Sequence, residues 1–358
     1  MSPASAATPT RRSAYRGGMR TILLTALLLS TPLASAQGGT PPAPPPAPAA
    51  ANTAAANTVT LNLTARPGTL AELTLTTVTR LTLEDVQVTA PGGAGPGEAE
   101  LSELRRSVEQ ALGQAGTQTS VGKAFYRVGE RAPDGTVTFL NTVITEVPGQ
   151  GPVALRTVQT VAPDGTVSLV RLESDNPLVQ SILSGLSPEA LRAQASGGGS
   201  DLTGVYGQTF AVGQPVTRTV TVDAQALLGN LFGAVAAGLG GGQNPLGQVQ
   251  ASPLTVTTTT TYRGVNPAGL HVFETRSTLA DWTIEFGGEG AAAGTPRIRL
   301  DLLGGSPGSG LSLYRPDGLP VGSNQVQATR LRVSVVQPGG EQLQVLLRLD
   351  QTVTLRPR

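Results

Sequence analysis

Cysteine is absent from this 358-residue chain. No disulfide can staple the fold and no thiolate can serve as nucleophile or metal ligand, so stability rests on an apolar core and on sheet hydrogen bonds. Aromatic residues make up only 3%, too few for the flat platforms that stack sugars or nucleobases. Charged residues reach 14%, with 25 Lys and Arg scattered along the sequence against 24 Asp and Glu. Binding a phosphate backbone needs a concentrated cationic surface, so nucleic acid is excluded as a partner. A single histidine, His271, serves the whole chain, and no second imidazole is there to share a metal.

The motifs that could carry catalysis fail on inspection. Gly304-Gly305-Ser306-Pro307-Gly308 matches the bare string of a nucleophile elbow, but the residue after the serine must donate its backbone N–H to an oxyanion and proline has none. Five residues separate Gly116 from Gly122 where a phosphate loop needs four, and Ala124 follows Lys123 in place of the magnesium-binding hydroxyl. Acidic residues are dispersed. Glu84-Asp85 is the closest pair, and strand neighbours point to opposite faces. These absences lead to the expectation of a non-catalytic protein without cofactor or metal.

What is present begins with an export signal. Met19-Arg20 is a short basic start, residues 22–29 are apolar apart from Thr25, and Pro32 precedes Ala34-Ser35-Ala36, the three regions of a cleaved secretory signal. The segment is too short to span a bilayer, and Gln37 stands where a lipoprotein would carry its lipidated cysteine. Residues 1–36 are therefore expected to be a signal peptide, with Met19 as the true start, and the protein to be extracytoplasmic (periplasmic or secreted) with no transmembrane segment once matured. Residues 37–57 are Pro/Ala-rich, including Pro41-Pro42-Ala43-Pro44-Pro45-Pro46, and read as an extended tether.

From Val59 the pattern has the period of a strand. Val59, Leu61 and Leu63 alternate with polar residues, and Leu73, Leu75, Leu81, Leu83, Val86 and Val88 continue with changes of phase that imply bulges. At the C-terminus Leu343, Val345, Leu347, Leu349, Val353 and Leu355 share one face of a very long strand. Ala132-Pro133-Asp134-Gly135 recurs as Ala162-Pro163-Asp164-Gly165, and Arg315-Pro316-Asp317-Gly318 is a third version. Proline presets φ, aspartate bonds back to the backbone and glycine takes positive φ, so three hairpins of an antiparallel meander are predicted. The Thr-rich run at 255–261 is polar on both faces and reads as an edge or solvent-exposed strand.

Helices are few. Leu101, Leu104, Val108 and Leu112 mark one face of a helix over residues 98–112, acidic at its start and followed by Gly113 as its cap. Asn176-Pro177 and Ser187-Pro188 begin two short ones, and Asp223 caps an uncharged apolar helix reaching Leu239. The expected fold is mainly β (α+β): a large curved antiparallel sheet or open half-barrel over residues 58–358, with a few short helices packed on its concave face. The glycine run at 197–204 is a candidate division into two halves. An apolar pocket, if the sheet holds one, would be lined by Leu227, Leu231, Phe232, Val235, Trp282 and Phe286, the large apolar residues of the uncharged helix and of one strand face.

Leu313-Tyr314-Arg315-Pro316-Asp317-Gly318-Leu319-Pro320, followed by the strand runs at 326–336 and 343–355, resembles the bacterial lipoprotein-carrier and lipoprotein-sorting half-barrel, and is similar to uncharacterised secreted bacterial proteins that elaborate it. The resemblance covers the C-terminal third. It implies an open sheet wrapped around helices and a lipid or acylated molecule as ligand. The competing expectation is a structural or interaction module of the cell envelope, with an envelope protein as partner.

Overall fold

The structure is a computed structural model that describes residues 58–91, 97–115, 117–147, 151–177, 180, 205–222, 225, 249–287, 294–304 and 307–358. The expected signal, the Pro/Ala arm, the glycine run at 197–204, the helix at Ser187 and nearly all of the apolar helix from Asp223 lie outside these residues. In chain order the strands are β1 Thr58–Thr60, β2 Leu70–Thr89, β3 Thr117–Arg131, β4 Val137–Val147, β5 Gly151–Val161, β6 Val167–Ser174, β7 Thr209–Ala211, β8 Pro215–Val222, β9 Gln250–Ala251, β10 Leu254–Val265, β11 His271–Leu279, β12 Trp282–Phe286, β13 Arg297–Leu303, β14 Pro307–Tyr314, β15 Pro320–Val336 and β16 Gln342–Pro357. One long helix, α1 Glu98–Ala115, follows β2.

Fourteen strands form one antiparallel sheet, eleven of them in the order β6-β5-β4-β3-β2-β16-β15-β14-β11-β10-β8 and three on a branch. Its centre is made by the first and last long strands, β2 and β16, which pair along sixteen positions of β16. β15 then forks the sheet: residues 320–327 carry β14, and residues 330–336 carry β13, from which β12 and β9 continue. Strands from both sides of the 197–204 segment thus belong to the same sheet. The sheet does not close on itself, because β6 and β8 end it without pairing to each other.

The turns follow from sequence. All three Pro-Asp-Gly segments make hairpins, and Asn266-Pro267-Ala268-Gly269 and Gln337-Pro338-Gly339-Gly340 repeat the same geometry without the Pro-Asp-Gly string. In each, the glycine N–H donates to the residue before proline at 2.8–2.9 Å, and that residue's N–H donates across the turn at 2.8–2.9 Å. The five glycines hold φ between 76° and 88°, a region where a Cβ is strained. The phase change expected in β2 is a bulge: Leu346 faces Asp85, but Leu347 faces Leu83, leaving Glu84 unopposed. Two expectations are corrected. Gly113 does not end α1, which runs on to Ala115. The Thr-rich strand β10 is not an edge, since β11 and β8 flank it; Thr255 to Thr259 are partly exposed on both faces, while Thr260 is buried.

Two buried clusters occupy the inner face. The first joins Val108 and Leu112 of α1 to Trp282, Ile284, Phe286, Ile298, Leu300, Val333, Val335, Leu343, Val345 and Leu347. The second lies at the opposite end of the long strands, around Phe139, Tyr206, Phe210, Tyr262, Phe273 and Tyr314. β2, β15 and β16 run through both.

The sheet curls at this second end. Tyr206 packs its ring 6.1 Å from Tyr314 of β14, while its carbonyl lies where a Cβ on Gly165, in the β5–β6 turn, would come within 2.0 Å. β5 and β14 are six strand positions apart in the sheet order, about 29 Å on a flat sheet at ~4.8 Å per strand. A single residue can reach both only if the wings are folded toward each other.

Candidate functional site: the inner face of the curved sheet

A strap of two segments closes the curled end. Residues 58–65 and 205–212 run beside each other, joined through the β1–β7 pair and the Leu61–Tyr206 bridge. The amides of Thr64 and Ala65 donate to the Asp317 carbonyl at 2.8 and 3.0 Å, and Gly207 donates to Leu61 at 2.9 Å. The Tyr206 hydroxyl donates to the buried Gly318 carbonyl at 2.6 Å, and Arg131 donates to the Leu63 carbonyl at 3.0 Å. The strap therefore ties the β3–β4, β5–β6 and β14–β15 turns together. Beneath it Phe273 touches Phe210, Tyr262 and Tyr314 at centroid separations of 5.2, 5.1 and 5.6 Å. Seven of the chain's twelve aromatic residues sit in this cluster, so the scarce aromatics are concentrated in packing.

Between the two clusters the inner face is polar and almost uncharged. The register places Thr77, Val353, Gln325, Gly310, Thr275 and Thr260 in one row across β2, β16, β15, β14, β11 and β10. Thr79, Gln351, Gln327, Gly308, Ser277 and Thr258 form the adjacent row on the same strands. Arg218 of β8 ends that row and is its only charge. Gln325, Gln351, Ser277 and Thr260 are buried, as are Ser312 and Thr329 beside them. Gln351 donates to Thr79 at 3.4 Å, and Thr258 and Ser277 share a bond of 3.2 Å. Such a belt can satisfy neutral hydrogen-bonding groups, whereas an acyl chain laid on it would strip water from polar groups without replacing their hydrogen bonds.

Trp282 and Phe286 are brought together on one face of β12, 4% and 2% exposed, in the first cluster. The indole N–H donates to the Ser252 carbonyl at 2.7 Å. Both rings are buried in the first cluster, and their strand pairs with β13 through Trp282–Leu302 and Phe286–Ile298. Leu227, Leu231, Phe232 and Val235 lie outside the described residues, so their meeting with Trp282 and Phe286 is not observed. The polar belt was not legible beforehand, because its glutamines, threonines and serines lie on six strands far apart in sequence and align only through register.

His271 shares a 2.9 Å hydrogen bond between its Nδ1 and the Tyr262 hydroxyl. Burial holds the imidazole below its ordinary value and pushes the phenol up, so both are neutral near pH 7. Burial also raises the Glu274 carboxyl, but hydrogen bonds and charge from Arg263 and Arg276 outweigh it and hold the group below the usual range. Among the described residues no three His, Asp or Glu side chains cluster where a metal could sit, and no helix is long and apolar enough to cross a membrane.

No protein-family model and no curated protein matches this chain. Two solved structures overlap it: a five-substitution mutant of the Rh. blastica porin, at TM-score 0.20 and 9% identity, and a chain from work on asymmetric conductivity of engineered proteins, at TM-score 0.19 and 9% identity. Each comparison covers 79% of this chain and 100% of the other. Overlaps this low establish neither topology nor activity, and the lipoprotein-carrier resemblance gains no support from them.

Proposed function

We propose that this chain is a non-catalytic exported protein acting as a structural or protein-interaction module of the cell envelope, its sheet held away from an anchor or partner by the Pro/Ala-rich arm. The observation that carries this reading is the use of the inner face. Its two apolar regions are packed cores, and the rows between them are a polar belt with one charge, Arg218. A carrier of acyl chains needs continuous apolar lining with room for the ligand. The export signal and tether supply the location, and the open sheet supplies surface on its outer face and edges.

Native mass spectrometry of the purified protein, with organic extraction and lipid analysis, tests the reading. The expected result is a mass with no stoichiometric lipid and no binding of a fluorescent fatty acid. A co-purifying lipid at one equivalent overturns it in favour of the apolar-ligand reading, and Leu227, Leu231, Phe232 and Val235 become the first residues to substitute.

A further inference from the structure

The two ends of the main strand path, β6 and β8, are built differently. β6 is broken by a bulge between its pairs with Val158 and Gln159, and it carries the Arg171–Glu173 ion pair at 3.0 Å. Bulges and edge charges are the devices by which sheets avoid adding strands. β8 has neither device in that form. It pairs with β10 through eight uninterrupted positions, its proline stands at the first residue only, and Arg218 is its one charge. Thr217, Thr219 and Thr221 are exposed on the outer face and bond to Thr259, Thr257 and Thr255 of β10 at 2.9, 3.0 and 3.0 Å. Among the described strands β10 is its only neighbour.

The sequence of β8 is also nearly self-complementary. Read in either direction from Thr219, threonines occupy every second position, and the intervening residues are Val216, Arg218, Val220 and Val222. We propose that β8 is a homodimerisation edge, pairing antiparallel with β8 of a second copy about a two-fold axis at Thr219. In that register Thr219 faces Thr219, Thr217 faces Thr221, and Val216 faces Val222, each across the axis. Arg218 lies opposite Val220 of the second copy. The register one pair away, centred on Arg218, sets two guanidiniums directly opposite each other, which is unfavourable. A shift by an odd number of residues puts valines on the threonine face. Centred on Thr219, the outer hydroxyl ladder of β10 and β8 runs on into the second copy, and the main-chain groups along the β8 edge find partners.

This inference goes beyond the envelope reading and stands whether or not that reading holds. An edge-only contact is small, so association on the order of micromolar or weaker is expected. Sedimentation velocity of the purified protein over a concentration series should show monomer passing to dimer. Thr219→Lys and Thr219→Glu each set like charges opposite themselves across the axis. Each alone should weaken association roughly two- to fivefold, and an equimolar mixture should recover a heterodimer that added salt weakens. Thr219 is exposed, so at concentrations where all three proteins are monomeric both variants should stay within about 0.5 kcal/mol of the wild-type stability. A wild type that stays monomeric at several hundred micromolar, single variants that associate like wild type, or a mixture that fails to associate each overturns the proposal.

Discussion

Phe273 is the side chain on which the curled end depends, and its removal has a calculable cost. It is completely buried and makes ring contacts with the strap through Phe210, with β10 through Tyr262 and with β14 through Tyr314. Phe→Ala in a packed core costs about 3–5 kcal/mol, and losing three ring contacts places Phe273→Ala toward the middle or top of that range, about 4 kcal/mol. Unfolding entropy of ~2.1 cal/mol/K per residue over roughly 300 residues converts this to a Tm lower by about 6 °C. Arg276→Ala, on the outer face of the same strand, should stay within about 0.5 kcal/mol. The assay is urea unfolding followed by far-UV circular dichroism and by tryptophan fluorescence. Trp282, the only tryptophan, sits in the other cluster, at the far end of the long strands. Because β2, β15 and β16 pass through both clusters, the Trp282 transition should move with the dichroism. A loss below about 1.5 kcal/mol would refute the packing argument. A Trp282 transition that stays put would refute the cooperative coupling of the two cores.

Two further outcomes follow from the turns and the single histidine. Gly269 and Gly318 share a positive φ, 76° and 83°, but a Cβ on Gly269 meets open space while one on Gly318 comes 2.3 Å from the Asn62 carbonyl oxygen. Gly269→Ala should therefore cost only the backbone strain of about 1–2 kcal/mol, and Gly318→Ala about 2 kcal/mol more as the strap is pushed off; equal shifts in urea midpoint would show that the strap is not seated on that turn. His271 has a folded-state pKa below its ordinary 6.5 because of burial, so the unfolded chain binds the proton more readily. Its contribution to stability is present above about pH 6.5 and is lost as pH falls through the lower folded value. Tm should fall between pH 7.5 and 5, and His271→Asn should flatten that slope. An unchanged slope in the variant would assign the pH dependence to other groups.

Much of the architecture was legible because its causes are local. The alternation of Leu343, Val345, Leu347, Leu349, Val353 and Leu355 requires a long half-buried strand, and the switch from Leu83 to Val86 requires a bulge, since both are consequences of a period of two. The three Pro-Asp-Gly turns were readable for the same reason. Two more hairpins at Asn266 and Gln337 show that the operative signal is proline followed two residues later by glycine, with aspartate only one way to fill the middle. Gly113 misled because glycine favours helix ends but does not compel one.

What the tertiary structure decided is everything that depends on which strands meet. Nothing local marks β2 and β16, at opposite ends of the chain, as the central pair of the sheet. Nothing local shows that Gln325, Gln351, Thr79 and Ser277 fall into one belt, because each looks like an ordinary strand position until register aligns them. The candidate pocket residues Trp282 and Phe286 were rightly read as sharing a face, but only the tertiary structure shows that this face is buried in the first cluster. The sequence determines period, turns and the bulge through interactions a few residues long. Partner choice, curvature and the composition of the inner face are set by pairings across tens to hundreds of residues, which burial of the whole sheet selects.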